Sequence, residues 1–162
     1  MKILFISRAT LYTVRGGDTI QVINTAKYLV KLGIEVDIKL CNEKIDYTGY
    51  DLIHFFNIIR PADILNHIRN SGKPYVISPI FVDYGEFEKN NRKGFTGFIG
   101  SLLSPDQMEY IKVIARLIVN GEKIISPSYL LLGHKKAIRE ILQKASKLLP
   151  NSNNEYIRLN AR

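Results

Sequence analysis

The sequence has little of the chemistry that holds disulfide-bonded or zinc-binding proteins together. It contains one cysteine, Cys41, and three histidines that are spread from position 54 to position 134. A single cysteine forms no internal disulfide, and histidines at such separations do not have the spacing of a zinc site. We therefore expect neither a disulfide framework nor a zinc site. As a separate expectation, no other metal and no cofactor is assigned.

Long apolar runs are also missing. The amino terminus is apolar only from Ile3 to Ile6, which is shorter than the ~7 to 15 residues of a secretory signal. The longest apolar stretches, 52–59 and 113–119, are far shorter than the ~20 residues that span a bilayer. With 46% hydrophobic and 23% charged residues, the composition is that of a globular protein, so we expect one cytoplasmic domain over residues 1–162.

The common nucleotide-binding motifs are missing as well. No G-x-G-x-x-G fingerprint occurs, and no Gly-Lys-Ser/Thr of a P-loop occurs. The net charge of +8 favours anionic partners in general. Because the basic residues are scattered and form no recognised nucleic-acid motif, we do not expect nucleic acid as a partner.

The first 40 residues have the pattern of a strand, a helix and a second strand. Lys2–Ser7 is nearly all apolar, which is typical of a strand buried on both faces. Asp18 and Gln21 have capping-box spacing, and Gly33 marks the end of the helix that follows. Alternation over Glu35–Leu40 predicts a strand at the sheet edge. The predicted buried stripe of the helix is Ile20, Ile23, Ala26 and Val30.

The alternation of strands and helices continues to the end of the chain. We predict strands over 51–57, 75–80, 123–126 and 147–149, and helices over 61–71, ended by Gly72, and 129–146. This order predicts a Rossmann-like α/β fold, a doubly wound and mostly parallel sheet of about six strands with the first strand central. Ligands of such sheets bind at the carboxyl ends of the strands.

The strongest local signal for a binding site is the loop before the first helix. Arg15, Gly16 and Gly17 lie directly before that helix, where glycines allow close approach of a ligand and helix amides suit an anion. Two observations favour a simple turn instead. Adjacent glycines often serve only to turn the chain, and Asp18 would itself occupy the positive end of the helix.

Other candidate binding residues follow the ends of later predicted strands. We expect them to line one cleft with the glycine loop, because parallel strands end at the same edge of the sheet. The segment 83–105 is longer than most connections, so it is either functional or a surface insertion whose carboxylates are solvated. No residue is assigned as catalytic. The candidates are Asn57, Asp83, Tyr84, Glu86, Ser126 and Ser128.

Several segments in order resemble the amino-terminal half of the family 4 glycosyltransferases of the GT-B architecture. The resemblance covers nearly the whole chain. The segments are KILFIS at 2–7, Gly16-Gly17, AKYLVKLGIEVD at 26–37, YDLIHFFN at 50–57, GKPYVIS at 72–78 and LLPNSNNE at 148–155.

This resemblance implies an acceptor-side domain of a retaining, hexosyltransferase-type enzyme. Its partners would be a nucleotide-sugar donor and a glycan or lipid-linked acceptor, as in polysaccharide biosynthesis. The carboxyl-terminal domain that holds the donor, with its pair of spaced glutamates, is absent from these residues. The histidine that many members carry beyond the fourth strand is replaced by the stretch Ser78–Tyr84. The isolated chain is therefore expected to be inactive.

Two further interpretations remain open. The alternative to an enzyme domain is a non-catalytic Rossmann-like module that binds a nucleotide or a partner. The predicted helix at 129–146 also carries a basic face with Lys135, Lys136 and Arg139. Such a face is most simply solvated, although the resemblance adds peripheral contact with an anionic membrane.

Overall fold

The chain folds as an α/β protein. The computed structural model describes residues 1–58, 60–80, 107 and 127–160. Strands and helices alternate through most of these residues. The strands are β1 (Lys2–Ser7), β2 (Glu35–Leu40), β3 (Leu52–Phe56), β4 (Tyr75–Ser78) and β5 (Lys147–Leu148), and the helices are α1 (Gly17–Lys31), α2 (Pro61–Ser71), α3 (Pro127–Leu132), α4 (His134–Lys144) and α5 (Asn153–Asn160).

The five strands form one parallel sheet in the order β2-β1-β3-β4-β5. This confirms the Rossmann-like fold class, with β1 paired on both sides and β2 at an edge. The predicted strand at 123–126 lies outside the described residues. The chain passes from β1 to β2 on one side and then returns to β3 on the other side of β1. The carboxyl ends of β1 and β3 therefore lie at the topological switch point, where open α/β sheets bind their ligands.

Two hydrophobic layers cover the sheet. Burial on both faces explains why β1 and β3 are almost continuously apolar. On one face, Ile3, Phe5 and Phe56 pack against Val22 and Ala26 of α1. On the other face, β1, β3 and β4 pack against α2 and α4 through Leu4, Ile6, Ile53, Phe55, Ile77, Ile64, Leu65, Ala137, Ile138 and Ile141.

The predicted buried stripe of α1 is right at Ala26 but wrong at its other three positions. Ile20 is 65% exposed, and Ile23 and Val30 are also exposed, whereas Thr19, Val22 and Ala26 are buried. The error arises because Thr19 is polar but buried. Its hydroxyl donates to the backbone oxygen of Leu11 at 3.1 Å, so its hydrogen-bonding need is met inside the protein.

The predicted cap of α1 is also wrong. The helix begins at Gly17 with Gly16 as the capping residue, and Asp18 lies in the first turn. The Gly16 amide donates to Thr19 Oγ1 at 3.2 Å, which is half of a capping box. Gln21 takes no part in it, because its side-chain amide pairs with that of Asn151 ahead of α5.

Other boundaries also differ from the sequence-based prediction. The strand predicted over 51–57 spans Leu52–Phe56. The single helix over 129–146 is two helices, because Gly133 has a φ of 74° that breaks the helical geometry. The fourth strand ends at Ser78 rather than 80, since Pro79 has no amide to donate to a neighbouring strand. The last strand ends at Leu148 rather than 149. The helix over 61–71 and its end at Gly72 are confirmed, with Gly72 at a φ of 59°.

His54 is part of the core. Its Nε2 lies 2.9 Å from Ser78 Oγ across the β3–β4 pair, and its ring stacks on Phe56 at a centroid distance of 4.1 Å. Burial lowers the pKa of His54 to about 4. The imidazole is therefore neutral at physiological pH, and it links two central strands.

Among the described residues, no helix has the combination of length and apolarity needed to cross a bilayer.

The register of α1 can be tested with two valines on opposite sides of the helix. Val22 is completely buried and Val30 is 55% exposed. Val22→Ala should lower the free energy of unfolding by about 2 kcal/mol, because it removes two buried methyl groups and leaves a cavity. Val30→Ala should change it by less than about 0.5 kcal/mol. Urea denaturation measures both, and equal losses would contradict the register.

His54 should make the protein less stable in acid. The unfolded chain binds a proton near pH 6.5 and the folded chain only near pH 4, so this part of the stability is complete above 6.5 and is lost as the pH falls from 6.5 to about 4. The loss should reach about 3 kcal/mol. His54→Gln should flatten the stability profile in this window. A variant profile parallel to that of the wild type would disprove the assignment.

Candidate functional site

A small cavity lies at the carboxyl edge of the sheet. Its volume is about 10 Å³, which is room for about one water-sized group. The cavity lies at the switch point between β1 and β3. Its polar lining comes from the ends of three strands and the start of α2, namely Ser7, Arg8, Cys41, Asn57, Arg60 and Asp63.

Arg8 holds together the loop between β1 and α1. Its Nε and Nη2 contact the two carboxylate oxygens of Asp18, with an Nη2–Oδ1 distance of 3.0 Å. Nη1 donates to the backbone oxygen and the hydroxyl of Thr10, and Nη2 also donates to the backbone oxygen of Val14 at 2.6 Å. These contacts account for all five N–H groups of the guanidinium. Arg8 therefore fixes the shape of the loop.

Asp18 is the counter-charge of Arg8. The hydrogen bond from Arg8 is the main cause that lowers the pKa of the Asp18 carboxyl, and contacts with Thr19 and Asn57 lower it further. The carboxylate therefore stays ionised at neutral pH. Through its contact with Asn57, Asp18 also joins the glycine loop to the end of β3.

A second ion pair stands at the start of α2. Arg60 Nε lies 3.1 Å from Asp63 Oδ2, and both side chains are mostly buried. Pro61 occupies the first turn of the helix, where its missing amide costs nothing. Arg60 and Asp63 are brought to the cavity because α2 starts only a few residues after β3.

Cys41 contributes a thiol to the cavity wall but is not a nucleophile at neutral pH. Burial is the main cause that raises the pKa of Cys41 to about 12, and the charge of Asp63 adds to the effect. Its carbonyl oxygen accepts a hydrogen bond from His67 Nε2 at 2.9 Å. His67 Nδ1 therefore accepts the hydrogen bond from the Tyr47 hydroxyl at 2.7 Å. Both contacts hold the wall in place.

Two residues at this edge have left-handed backbone conformations. Asn57, after β3, has a φ of 69°, and Ile80, after β4, has a φ of 49°. Asn tolerates this region, but a β-branched isoleucine there is strained. Strained residues cluster at functional sites, and both lie just beyond the carboxyl ends of strands.

Only part of the predicted cleft can be placed. Asn57 lines the cavity. Gly16 and Gly17 are not among the lining residues and lie in the loop that Arg8 holds. Arg15 is exposed. The backbone of Ser128 lies in α3. Four of the predicted residues lie outside the described part of the chain, namely Asp83, Tyr84, Glu86 and Ser126. The segment 83–105 also lies outside it, and the stretch Ser78–Tyr84 is described only as far as Ile80.

Neither glycine of the loop needs a left-handed conformation. Gly16 has an extended backbone with a φ of −148°, and Gly17 is not among the glycines with positive φ. Of the two glycines, Gly16 is the one that has little room for a side chain. A Cβ atom there would lie 3.1 Å from Asp18 Oδ1, whereas one on Gly17 would meet nothing within 4 Å.

Sequence reasoning did not assign Arg8, Cys41, Arg60 and Asp63 to the site. Arg8 and Cys41 each directly follow a strand, so the rule that pointed to Asn57 would also have found them. The sequence gives a weaker signal for Arg60 and Asp63, because they are only a pair of opposite charges on either side of Pro61, where a helix starts. The pairing of Arg8 with Asp18 depends on the path of the loop, which composition and spacing do not reveal.

Comparisons with protein-family models, curated proteins and solved structures give no match. Function is therefore inferred from the geometry of the cavity together with the sequence motifs.

The two glycines offer a matched test of the Arg8–Asp18 pair. Gly16→Ala should lower the free energy of unfolding by about 1 kcal/mol, because the new methyl group presses on the Asp18 carboxylate. Gly17→Ala should change it by less than about 0.5 kcal/mol, since its methyl group points into open space. Thermal denaturation measures both. A larger loss for Gly17→Ala would show that the loop has a different shape.

Proposed function

We propose that this chain is the acceptor-side domain of a retaining glycosyltransferase. Such an enzyme moves a sugar from a nucleotide-sugar donor to a glycan or lipid-linked acceptor. The observation that supports this most is the polar cavity at the carboxyl ends of β1 and β3, which Ser7, Arg8 and Asn57 line. The ordered sequence motifs give independent support from most of the chain.

In this proposal the chain supplies only half of the reaction centre. The cavity would orient an acceptor hydroxyl, and a separate donor-binding domain would hold the nucleotide sugar. Transfer then requires the two halves to close around both substrates. The proposal includes no metal cofactor, and it places the enzyme in the cytoplasm, in solution or peripherally at the inner face of the membrane.

Ligand titration separates this function from a non-catalytic nucleotide-binding module. The probes are methyl glycosides of glucose, galactose, mannose and N-acetylglucosamine, together with UDP-glucose and GDP-mannose. For the acceptor-side domain, at least one glycoside should shift the backbone amide signals of Ser7, Arg8 and Asn57 saturably. The nucleotide sugars should bind weakly, and the purified chain should transfer no sugar from them.

The opposite pattern would contradict the proposal. Micromolar binding of a nucleotide sugar with no response to any glycoside would identify a nucleotide-binding module. Sugar transfer by the purified chain alone would show that it holds a complete active site. Spectra recorded with the exposed-site variant Val30→Ala control for nonspecific shifts.

A further inference from the structure

The side of α1 that points away from the sheet carries a stripe of apolar residues. A surface helix normally has polar residues on the side opposite the core. Ile20, Ile23 and Val30 are 65%, 42% and 55% exposed, and spacings of three and seven residues place them in one line along the helix. The exposed side of α1, with this stripe and the neighbouring Lys27 and Lys31, is called the α1 face below.

Exposed apolar residues also flank this helix. Tyr12 and Val14 are exposed in the loop before α1, and Leu32 is exposed directly after it. More than half of the large exposed apolar side chains in the described part of the chain therefore lie between residues 12 and 32. Single exposed apolar residues are common, whereas a group of them marks an interaction surface.

The exposed charges of the same segment are all positive. Arg15, Lys27 and Lys31 are exposed. The only acidic residue of the segment is Asp18, whose carboxylate is mostly buried and pairs with Arg8. In the described part of the chain, none of the three exposed cations has an ion-pair partner. The α1 face is therefore complementary to an anionic partner.

The mixture of apolar and basic groups favours a lipid surface over a protein. Lys27 lies within the apolar stripe, one turn from both Ile23 and Val30. The cores of protein interfaces are depleted of lysine, and a two-fold contact between copies of this face would bring lysines of like charge together. At a membrane, a lysine instead buries its hydrocarbon stem among apolar groups and extends its amine to the lipid phosphates.

The other basic helix, α4, lacks the apolar component. Lys135, Lys136 and Arg139 are exposed, but α4, all of which lies in the described part of the chain, exposes no large apolar side chain. The two helices also pack on opposite faces of the sheet. A lipid surface that lies against one of them therefore faces away from the other, and α1 offers both apolar groups and positive charge.

We propose that the α1 face binds the surface of an anionic membrane. Ile20, Ile23 and Val30 would insert among the lipid headgroups, and Lys27 and Lys31 would pair with lipid phosphates. The helix would lie in the plane of the membrane, as interfacial amphipathic helices do. This inference does not rest on the glycosyltransferase proposal, and it goes beyond that proposal by assigning the membrane contact to a particular face.

Cosedimentation of the full chain with lipid vesicles tests the proposal. Vesicles of equal parts phosphatidylcholine and phosphatidylglycerol should bind the wild type, and vesicles of phosphatidylcholine alone should bind it more weakly. Ile20→Asn should weaken binding to the anionic vesicles at least about fivefold, because it removes an apolar side chain that would leave water. Lys27→Gln should weaken it about fivefold, which is the contribution of one lysine near such a surface.

Matched controls are needed because the net charge of +8 attracts the protein to any anionic surface. Lys136→Gln removes the same charge from α4. Leu131→Asn replaces a 90% exposed side chain in α3, which packs through Tyr129 into the hydrophobic layer that also contains α4. Both controls should bind the anionic vesicles as the wild type does. Circular dichroism checks that the variants, all at exposed positions, remain folded.

Three results would overturn the proposal. They are no binding of the wild type to anionic vesicles, equal losses in the α1 variants and their controls, and a dimer in sedimentation velocity that Ile20→Asn dissociates. The last result would assign the α1 face to a second copy of the chain.

The outcome can be distinguished from that of the proposed function, because the vesicle assay contains no sugar. If the vesicle results hold while no methyl glycoside shifts the cavity signals, the membrane surface stands and the glycosyltransferase proposal fails. If a glycoside binds while the vesicle results fail, the proposed function stands and this inference is wrong.

Discussion

The guanidinium of Arg8 is the group on which the candidate site depends. Its five N–H groups are directed to three parts of one loop, and its charge is matched by the Asp18 carboxylate. This single side chain explains why α1 begins at Gly17 and why Asp18 faces the end of β3 rather than capping the helix. Because its bonds are charge-assisted and partly buried, they are stronger than neutral hydrogen bonds at the surface.

At the carboxyl edge of the sheet, the charge of each arginine is compensated by a neighbouring carboxylate. The protein carries a net charge of +8, yet each arginine of the cavity stands beside a carboxylate. The excess positive charge therefore lies elsewhere, for example on the exposed lysines and arginine of α4. The net charge of the whole chain therefore does not describe the charge balance at the cavity.

The sequence predicts the fold well because the fold depends on burial. The apolar run of β1, the alternation in β2 and the glycine after α2 each reflect a local physical requirement, and each is confirmed. The register of α1 could not be predicted, because it depends on a hydrogen bond from Thr19 to a loop that precedes the helix. Of the candidate site, Asn57 followed from the rule for parallel sheets. The hydrogen bonds of Arg8 within its loop could not be predicted, because they depend on the three-dimensional path of the chain.

The binding of Arg8 within its loop is tested most directly by nuclear magnetic resonance, which measures the rate of water exchange at the side-chain Nε–H of each arginine. If Arg8 is bound within its loop, its Nε–H should exchange at least about tenfold more slowly than that of the exposed Arg15, because each 1.4 kcal/mol of opening free energy slows exchange tenfold. Equal exchange rates for Arg8 and Arg15 would contradict the account.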